Sequence, residues 1–396
     1  MHRNHRSSSK QRSRSPSAIP SSPVSVRHRD PLPRTFDLDQ GRPHHDAKLS
    51  SESESPQTRE TGPKIPAFLE LSEEGIIKKF MTIMQLENER KVASRRPNGD
   101  TQWSFIKYDK VLDRYNNIYP WFHNRITLEV PEGVNSYINA SPVSLSAVAA
   151  ASKPQGQDKF IAMQGPKMET IDHTWMMIWQ SLSNPSRTTP AVIVMLTPTH
   201  VNHAPEGPPI IQEKCYPYYP LDEESEPLQI NDTSALGAEF KATVRFVARE
   251  ETCQGEAIEL RKLVMKVDGC DDEKIIWHFL YPGWPDFGAL EESDIESITK
   301  LMHLSREKNT SPENPRIVHC SAGVGRSGTF IALEHLMAEL EAGAWESLPE
   351  DQDPIFETVN NLRMQRPTMV QAPEQYRFLY SALKKFWEDR YTARTQ

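Results

Sequence analysis

The chain is short of several things. Its 396 residues hold four cysteines, Cys215, Cys253, Cys270 and Cys320, scattered through the second half. None forms a C-x-x-C pair and no two histidines have zinc-ligand spacing, so a metal site is not expected and the cofactor expectation is none. The first residues, "MHRNHRSSSKQRSRSPS", lack the apolar segment a secretory signal needs. The longest apolar run, "AVIVML" at 191–196, is far too short to span a bilayer. These absences point to a soluble protein with free thiols in a reducing compartment. The cytoplasm is expected, with the nucleus as an alternative, and no membrane association. No internal repeat is visible.

Positive charge is scarce outside the head. Residues 1–50 carry ten Lys and Arg against four Asp, a head of +6 that leaves −14 for the rest of a chain with net charge −8. An acidic body lacks the basic footprint that general nucleic-acid binding requires, so no nucleic-acid partner is expected. Residues 1–64 are rich in Ser, Arg, Pro and His and poor in aromatics. Such a segment buries too little apolar area to offset its ordering entropy and reads as a disordered tail. It carries Ser-Pro at Ser15, Ser22 and Ser55, where a phosphate would meet nearby Arg. "RHRDPLPRTFDL" (27–38) sets basic residues before Phe36 and Leu38, like a kinase-docking peptide.

Ordered patterning starts near Phe68. "FLELSEEGIIKKFMTIMQLENERKV" has apolar residues at helical spacing behind Ser72, a candidate cap followed by Glu73 and Glu74. "NRITLEV" and "SYINAS" read as a β-region and "KFIAMQGP" as a strand. "IDHTWMMIWQSLS" reads as a helix behind Asp172, and "AVIVML" as a fully buried strand. "KATVRFVARE", "IELRKLVMKV" and "KIIWHFLYPGW" alternate as a run of antiparallel strands. "LEESDIESITKLMHLSREK" is an amphipathic helix and "PRIVHC" another buried strand, with helices expected at about 327–342, 354–365 and 373–389. "PVSLSAVAAASKPQGQDK" (142–159) and "GAWESLPEDQDP" (343–354) read as inserts in surface loops. The fold class is α/β. One domain is expected over 65–392, with a central twisted, mostly mixed or antiparallel sheet flanked by helices, and 393–396 forms a short tail.

The densest chemistry lies in "IVHCSAGVGRSGTF" (317–330). Here "RIVHC" is a strand, "SGTFIALEHLMAEL" a helix, and "CSAGVGR" the turn between. Such a unit aims backbone N–H groups and the positive helix end at one point, which makes an anion site. Gly323 and Gly325 let the backbone curl around the anion, and Arg326 adds a planar fork that fits two phosphate oxygens. Cys320 sits at the bottom of this bowl, where the field favours the thiolate. Its pKa should fall from ~8.5 into the range of about 3.5–7.5. A nucleophile and a phosphate receptor in one loop suit phosphoryl transfer through a cysteinyl-phosphate intermediate. A Walker-type nucleotide loop is excluded, because no Gly-Lys-[Ser/Thr] follows.

His-Cys-x5-Arg-[Ser/Thr] resembles the signature of the cysteine-dependent phosphatases, and this chain looks like the tyrosine-specific, non-receptor branch. The resemblance covers about 65–392. "WPDFG" (284–288) resembles the mobile loop that carries the family's general acid. "SYINAS" (136–141), "MQGP" (163–166), "VIVMLT" (192–197) and "VQAPEQYRF" (370–378) resemble further family segments in the family's order. It implies Cys320 as nucleophile, Arg326 with the amides of Ser321, Ala322, Gly323, Val324, Gly325 and Arg326 as phosphate receptor, and Ser327 stabilising the departing thiolate. His319 would tune the nucleophile and Asp286 act as general acid and base. Trp284 would anchor the hinge, with Phe287 as an apolar wall. Gln371 would position the hydrolytic water, with Gln375 beside it, and Lys214 would pair with the acid loop. Tyr115 would stack on phosphotyrosine and set a depth that phosphoserine cannot span.

The chain departs from the family at "VLDRY" (111–115), at Asn117 where an Asp commonly grips the peptide backbone, at Tyr219 where Trp is usual, and at Thr368 where Gly is common. Asn117 should weaken the backbone grip, and Thr368 should close off a second phosphate site at the rim. The rival readings are a pseudophosphatase and a phosphatase for lipids or phosphoserine. The first would lack Asp286 or Arg326. The second would favour a basic loop or a shallow pocket, yet "CSAGVGR" has no Lys and Tyr115 is present. The implied partners are phosphotyrosine proteins. The docking-like peptide and the Ser-Pro sites point to a mitogen-activated protein kinase.

Overall fold

The structure is a computed structural model that describes residues 63–96, 99, 101–146, 158–181, 189–204, 206–252, 257–285 and 288–392. The tail read over 1–64 lies almost wholly outside the described residues, as do 393–396. The described residues all belong to the unit Glu60–Gln396.

Among the described residues, ten strands and six α-helices organise this unit. The strands are β1 (Ala140–Leu145), β2 (Asp158–Met163), β3 (Ala191–Met195), β4 (His200–Asn202), β5 (Ile211–Glu213), β6 (Leu228–Ile230), β7 (Ala242–Glu250), β8 (Glu259–Val267), β9 (Glu273–Leu280) and β10 (Arg316–His319). The helices are α1 (Glu73–Ser94), α2 (Ile171–Ser181), α3 (Ile295–Lys308), α4 (Gly325–Glu341), α5 (Pro354–Gln365) and α6 (Pro373–Thr392). Eight strands form one sheet in the order β1-β2-β10-β3-β9-β8-β7-β6, while β4 and β5 make a separate two-stranded ribbon. The centre is parallel, β10 lying between β2 and β3 and β3 beside β9. The flanks are antiparallel. The mixed α/β expectation is met.

Strand periodicity divides the core. On β3, Val192 and Val194 join the apolar layer that holds α4, α5 and α6, while Ala191, Ile193 and Met195 join the layer that holds α2. Helix α4 crosses behind the central strands and is buried on nearly every side. Its buried acids therefore need internal partners, and Arg316 of β10 grips one of them, Glu334, with two bonds, 3.0 and 2.7 Å. The outer edge of β1 is closed by a side chain. The Gln365 amide accepts from the Ser144 N–H at 2.8 Å and donates to its C=O at 2.9 Å, as a neighbouring strand would.

Several local expectations are corrected. Residues 142–145 belong to β1 and 158–159 to β2, with Val143 and Leu145 buried, so they are sheet and not insert; 147–157 lie outside the described residues. The stretch 343–354 is not a surface loop throughout. Trp345 is buried edge-on against Phe68 at 5.2 Å, and the buried Asp353 caps α5 through the amides of Ile355 and Phe356. "NRITLEV" forms no strand and contributes only a single bridge, Thr127 to Tyr137. Asp172 lies in the first turn of α2, where its carboxylate accepts from the Asn231 amide at 2.9 Å. Ser72 does cap α1, accepting from the Gly75 amide.

Candidate active site

Cys320 follows β10, the central parallel strand, and α4 starts five residues later. Functional groups collect at such carboxyl ends of parallel strands because the chain leaves the sheet there and the next helix starts nearby. The loop is tight. Gly323 has φ +69°, and a Cβ there would lie 1.8 Å from the Met163 carbonyl oxygen. No residue but glycine fits that position. A Cβ on Gly328 would reach the Val370 amide at 2.5 Å, so the first turn of α4 also sits directly on the chain before α6.

A cavity of about 100 Å³ opens above the loop, lined by Tyr115, Asn117, Ile118, Cys320, Ser321, Ala322, Gly325, Arg326, Gln371 and Gln375. Chain segments far apart in sequence meet here. The Tyr115 hydroxyl and Ser321 Oγ are 2.7 Å apart, and Ser321 Oγ donates on to the Lys214 carbonyl at 2.7 Å. Arg326 is buried, and its Nη1 donates to the Trp284 carbonyl at 3.1 Å. At the bottom, Gly323 N–H donates to Cys320 Sγ at 3.3 Å.

The protein-tyrosine phosphatase family matches residues 110–385, which include every residue of this cavity. Tyrosine-protein phosphatase 1 of Saccharomyces cerevisiae is 31% identical over 345 residues, 81% of this chain and 96% of that protein. The chain belongs to the protein-tyrosine phosphatases. Tyrosine-protein phosphatase 2 of Schizosaccharomyces pombe is 32% identical over 330 residues, and the match spans 40% of its length. The fold is that of the crystal structure of the catalytic domain of human protein tyrosine phosphatase non-receptor type 18, with a TM-score of 0.58 over 81% of this chain and 99% of that one, at 24% identity.

In this phosphatase the electrostatics around the thiol are legible. Burial opposes ionisation of Cys320, but Arg326, the Ser327 hydroxyl and the amides of Ser327 and Gly323 outweigh it, and the pKa falls below the ordinary thiol value. Ser327 Oγ is buried with no partner in hydrogen-bonding geometry, yet it lies close enough to favour the thiolate. His319 is fully buried. Burial, with Arg114 and Arg326 adding to it, holds its pKa down to about 4 against a weaker raising effect from the Cys320 backbone. The ring is therefore neutral, set between the Cys320 carbonyl at 3.1 Å and the Tyr218 hydroxyl at 2.8 Å. Tyr218 also reaches His278 at 3.2 Å.

Of the residues named from sequence, Tyr115, Cys320, Ser321, Ala322, Gly325, Arg326, Gln371 and Gln375 converge on the cavity. Gly323, Val324, His319, Ser327, Trp284 and Lys214 are placed behind or beside it. Trp284 is buried in the core, and Lys214 is buried next to β5. Gln375 Oε1 accepts from the Ala372 amide at 3.2 Å, helping to fix the start of α6. Asp286 and Phe287 lie outside the described residues.

Sequence reading missed Arg366. It is fully buried and donates to the Gly323 carbonyl at 2.9 Å, to Asn139 Oδ1 at 2.9 Å and to the Ala322 carbonyl at 3.3 Å. A loop that turns its amides inward turns carbonyls outward, and these need donors. Burial lowers the Arg366 pKa to about 10, which leaves it charged at neutral pH. Only its place in an otherwise apolar segment, "RPTMV", could have flagged it. Arg114 was missed too; it ties the Tyr115 segment to the Gly165 carbonyl at 3.0 Å and the Pro166 carbonyl at 2.6 Å.

Proposed function

We propose that this protein-tyrosine phosphatase works in two steps. The Cys320 thiolate attacks phosphorus; the P–S bond forms and the bond to the phenol oxygen breaks. Asp286 gives its proton to that oxygen. The loop amides and Arg326 hold the three non-bridging oxygens, where transition-state charge accumulates. Water, positioned by Gln371, then attacks the phosphocysteine and gives its proton to Asp286. The P–S bond breaks, with the departing thiolate stabilised by Ser327, and inorganic phosphate leaves. His319 orients the loop as a neutral ring. The catalytic unit spans 65–392, behind the tail 1–64.

The observation that carries this reading is the depressed pKa of Cys320 beside Arg326 at the floor of the cavity. Tyr115 among the residues lining the cavity supports specificity for an aryl phosphate, whose ring would stack there. The protein acts in signalling, in the cytoplasm with the nucleus as an alternative, and the docking-like peptide at 27–38 supports a mitogen-activated protein kinase as substrate. Among the described residues no helix is long and apolar enough to cross a membrane. The test is turnover of a phosphotyrosine peptide by wild type and by Cys320→Ser, with and without EDTA. Wild type should turn over equally in both conditions, and Cys320→Ser should be inert. Activity that EDTA removes from wild type would overturn the mechanism.

A further inference from the structure

The ribbon of β4 and β5 stands apart from the main sheet, and all three residues of β5 are exposed. Its register pairs Ile211 with Asn202, Gln212 with Val201, and Glu213 with His200. Side chains two apart on a strand share a face. Glu213 shows where that face points: its carboxylate accepts from Arg114 Nη2 at 3.1 Å. Arg114 directly precedes Tyr115, which lines the cavity. Ile211 therefore lies on the face of the ribbon that Glu213 turns towards the Arg114–Tyr115 segment, about 7 Å further along β5.

Ile211 is not alone at this corner. The Pro166 carbonyl accepts from Arg114 Nη2 at 2.6 Å, and Lys167 Nζ donates to the carbonyls of Lys110 and Val111. Those bonds bring Val111 and Met168 to the same corner. Val111 is 56% exposed, Met168 60% and Ile211 57%, three of the ten large apolar side chains left open to solvent among the described residues. Single exposed apolar side chains need no explanation, but a group beside a binding pocket does. At Asn117 the pocket has a neutral amide and no carboxylate to hold a peptide backbone.

We infer that Val111, Met168 and Ile211 form a subsite, continuous with the pocket, for an apolar side chain of the phosphotyrosine substrate. An extended peptide covers about 3.3 Å per residue, so the ~7 Å from Glu213 to Ile211 spans about two residues, and that side chain lies at least two residues from the phosphotyrosine. The inference rests on the reading of the pocket as a phosphotyrosine site. It names substrates by chemistry: segments with Leu, Ile, Met or Phe at that distance, on one side of the phosphotyrosine.

The test uses the full chain, Ile211→Ser and Met168→Ser, with Gln212→Ala as a control on the opposite face of β5. Substrates are nitrophenyl phosphate and phosphotyrosine peptides that carry a single Leu or Gln at each position up to five residues either side. Wild type should favour Leu over Gln by about tenfold in kcat/KM at one or two positions. Either Ser variant should abolish that preference, while turnover of nitrophenyl phosphate and of the Gln peptides stays at the wild-type rate. Gln212→Ala should behave as wild type. No Leu preference in wild type, or a preference that survives both Ser variants, overturns the subsite and leaves the phosphatase reading standing. Wild type inert on every peptide sinks that reading itself. Sedimentation gives the remaining outcome: a wild-type dimer that Ile211→Ser dissociates would assign the patch to self-association and overturn the inference.

Discussion

The Glu87 carboxylate accepts the Thr368 amide at 2.9 Å and joins α1 to the segment that carries Gln371. Thr368 and Val370 both have positive φ, 69° and 54°, a region unfavourable for β-branched residues. Arg363 holds the same segment by its carbonyls, donating to Met369 and to Val370 at 2.9 Å each, and stands 3.4 Å from Glu87. The Val370 amide in turn reaches the Val324 carbonyl in the phosphate loop at 3.1 Å. A buried ion pair thus keeps a strained turn in place next to the catalytic loop.

Removal of Glu87 should therefore be severe. Arg363 would be left buried without its counter-charge, a situation that costs about 3–5 kcal/mol. Glu87→Ala should lose stability on that scale in denaturant melts. Lys91→Ala, which removes a more exposed partner of Glu87 at 2.6 Å, should lose less than about 1 kcal/mol. Equal losses would contradict the assignment. Thr368→Gly, which relieves the positive φ, should stabilise by about 1 kcal/mol.

Stability should also depend on acidity through His319. Its pKa in the folded protein is about 4, below the ordinary value of 6.5. Between those values the unfolded chain binds a proton that the folded protein does not, so stability is lost as pH falls from 6.5 towards 4. His278, also buried and held well below its ordinary value, adds in the same direction. Together they should cost a few kcal/mol, since each pH unit between those two values corresponds to about 1.4 kcal/mol for one such group. Melts of wild type and His319→Gln across this range decide it. A wild-type profile that is flat, or that His319→Gln does not flatten, would be evidence against a neutral buried ring.

Asp286→Ala should remove catalysis and spare binding. In the proposed mechanism the phosphate is held by the Cys320 loop and Arg326, which the change leaves alone. A poor leaving group must then depart unprotonated, and general acid catalysis contributes typically ~10²–10⁴-fold. The loss should be large on phosphotyrosine peptide, smaller on nitrophenyl phosphate, and accompanied by loss of the basic limb of the pH profile. Equal losses on both substrates, or a raised KM with little change in kcat, would remove Asp286 from that role.

A protein that starts at Ile65 should keep its rate on nitrophenyl phosphate, because every cavity residue lies beyond it. A drop confined to protein substrates would support docking by 27–38. A severe drop on the small substrate would show that the head belongs to the catalytic unit.

Much of the site was legible because its chemistry is local. "HCSAGVGR" holds Cys320, the loop amides and Arg326 within eight residues, and strand–turn–helix patterning surrounds it. β3, "AVIVM", was readable for a related reason: a buried parallel strand is continuously apolar. Arg366 and Glu87 were not legible, because a buried charge is intelligible only through partners distant in sequence; Thr368 lies 281 residues from Glu87. Trp345 was missed because "GAWESLPEDQDP" has the polar composition of a loop, and one buried aromatic does not change a composition. Residues 142–145 were assigned to an insert because only pairing with β2 distinguishes "PVSL" from a loop.

Everything proposed for the reaction turns on phosphate passing through Cys320. The direct measurement is a rapid acid quench of enzyme turning over radiolabelled phosphotyrosine peptide, with the label then mapped by proteolysis and mass spectrometry. Label is expected on the peptide that contains Cys320, as a thiophosphate ester absent from Cys320→Ser and accumulating in Gln371→Ala, where attack by water should be slowed. Label on His319 or on a serine, or turnover with no labelled enzyme at any time point in either wild type or Gln371→Ala, would contradict it.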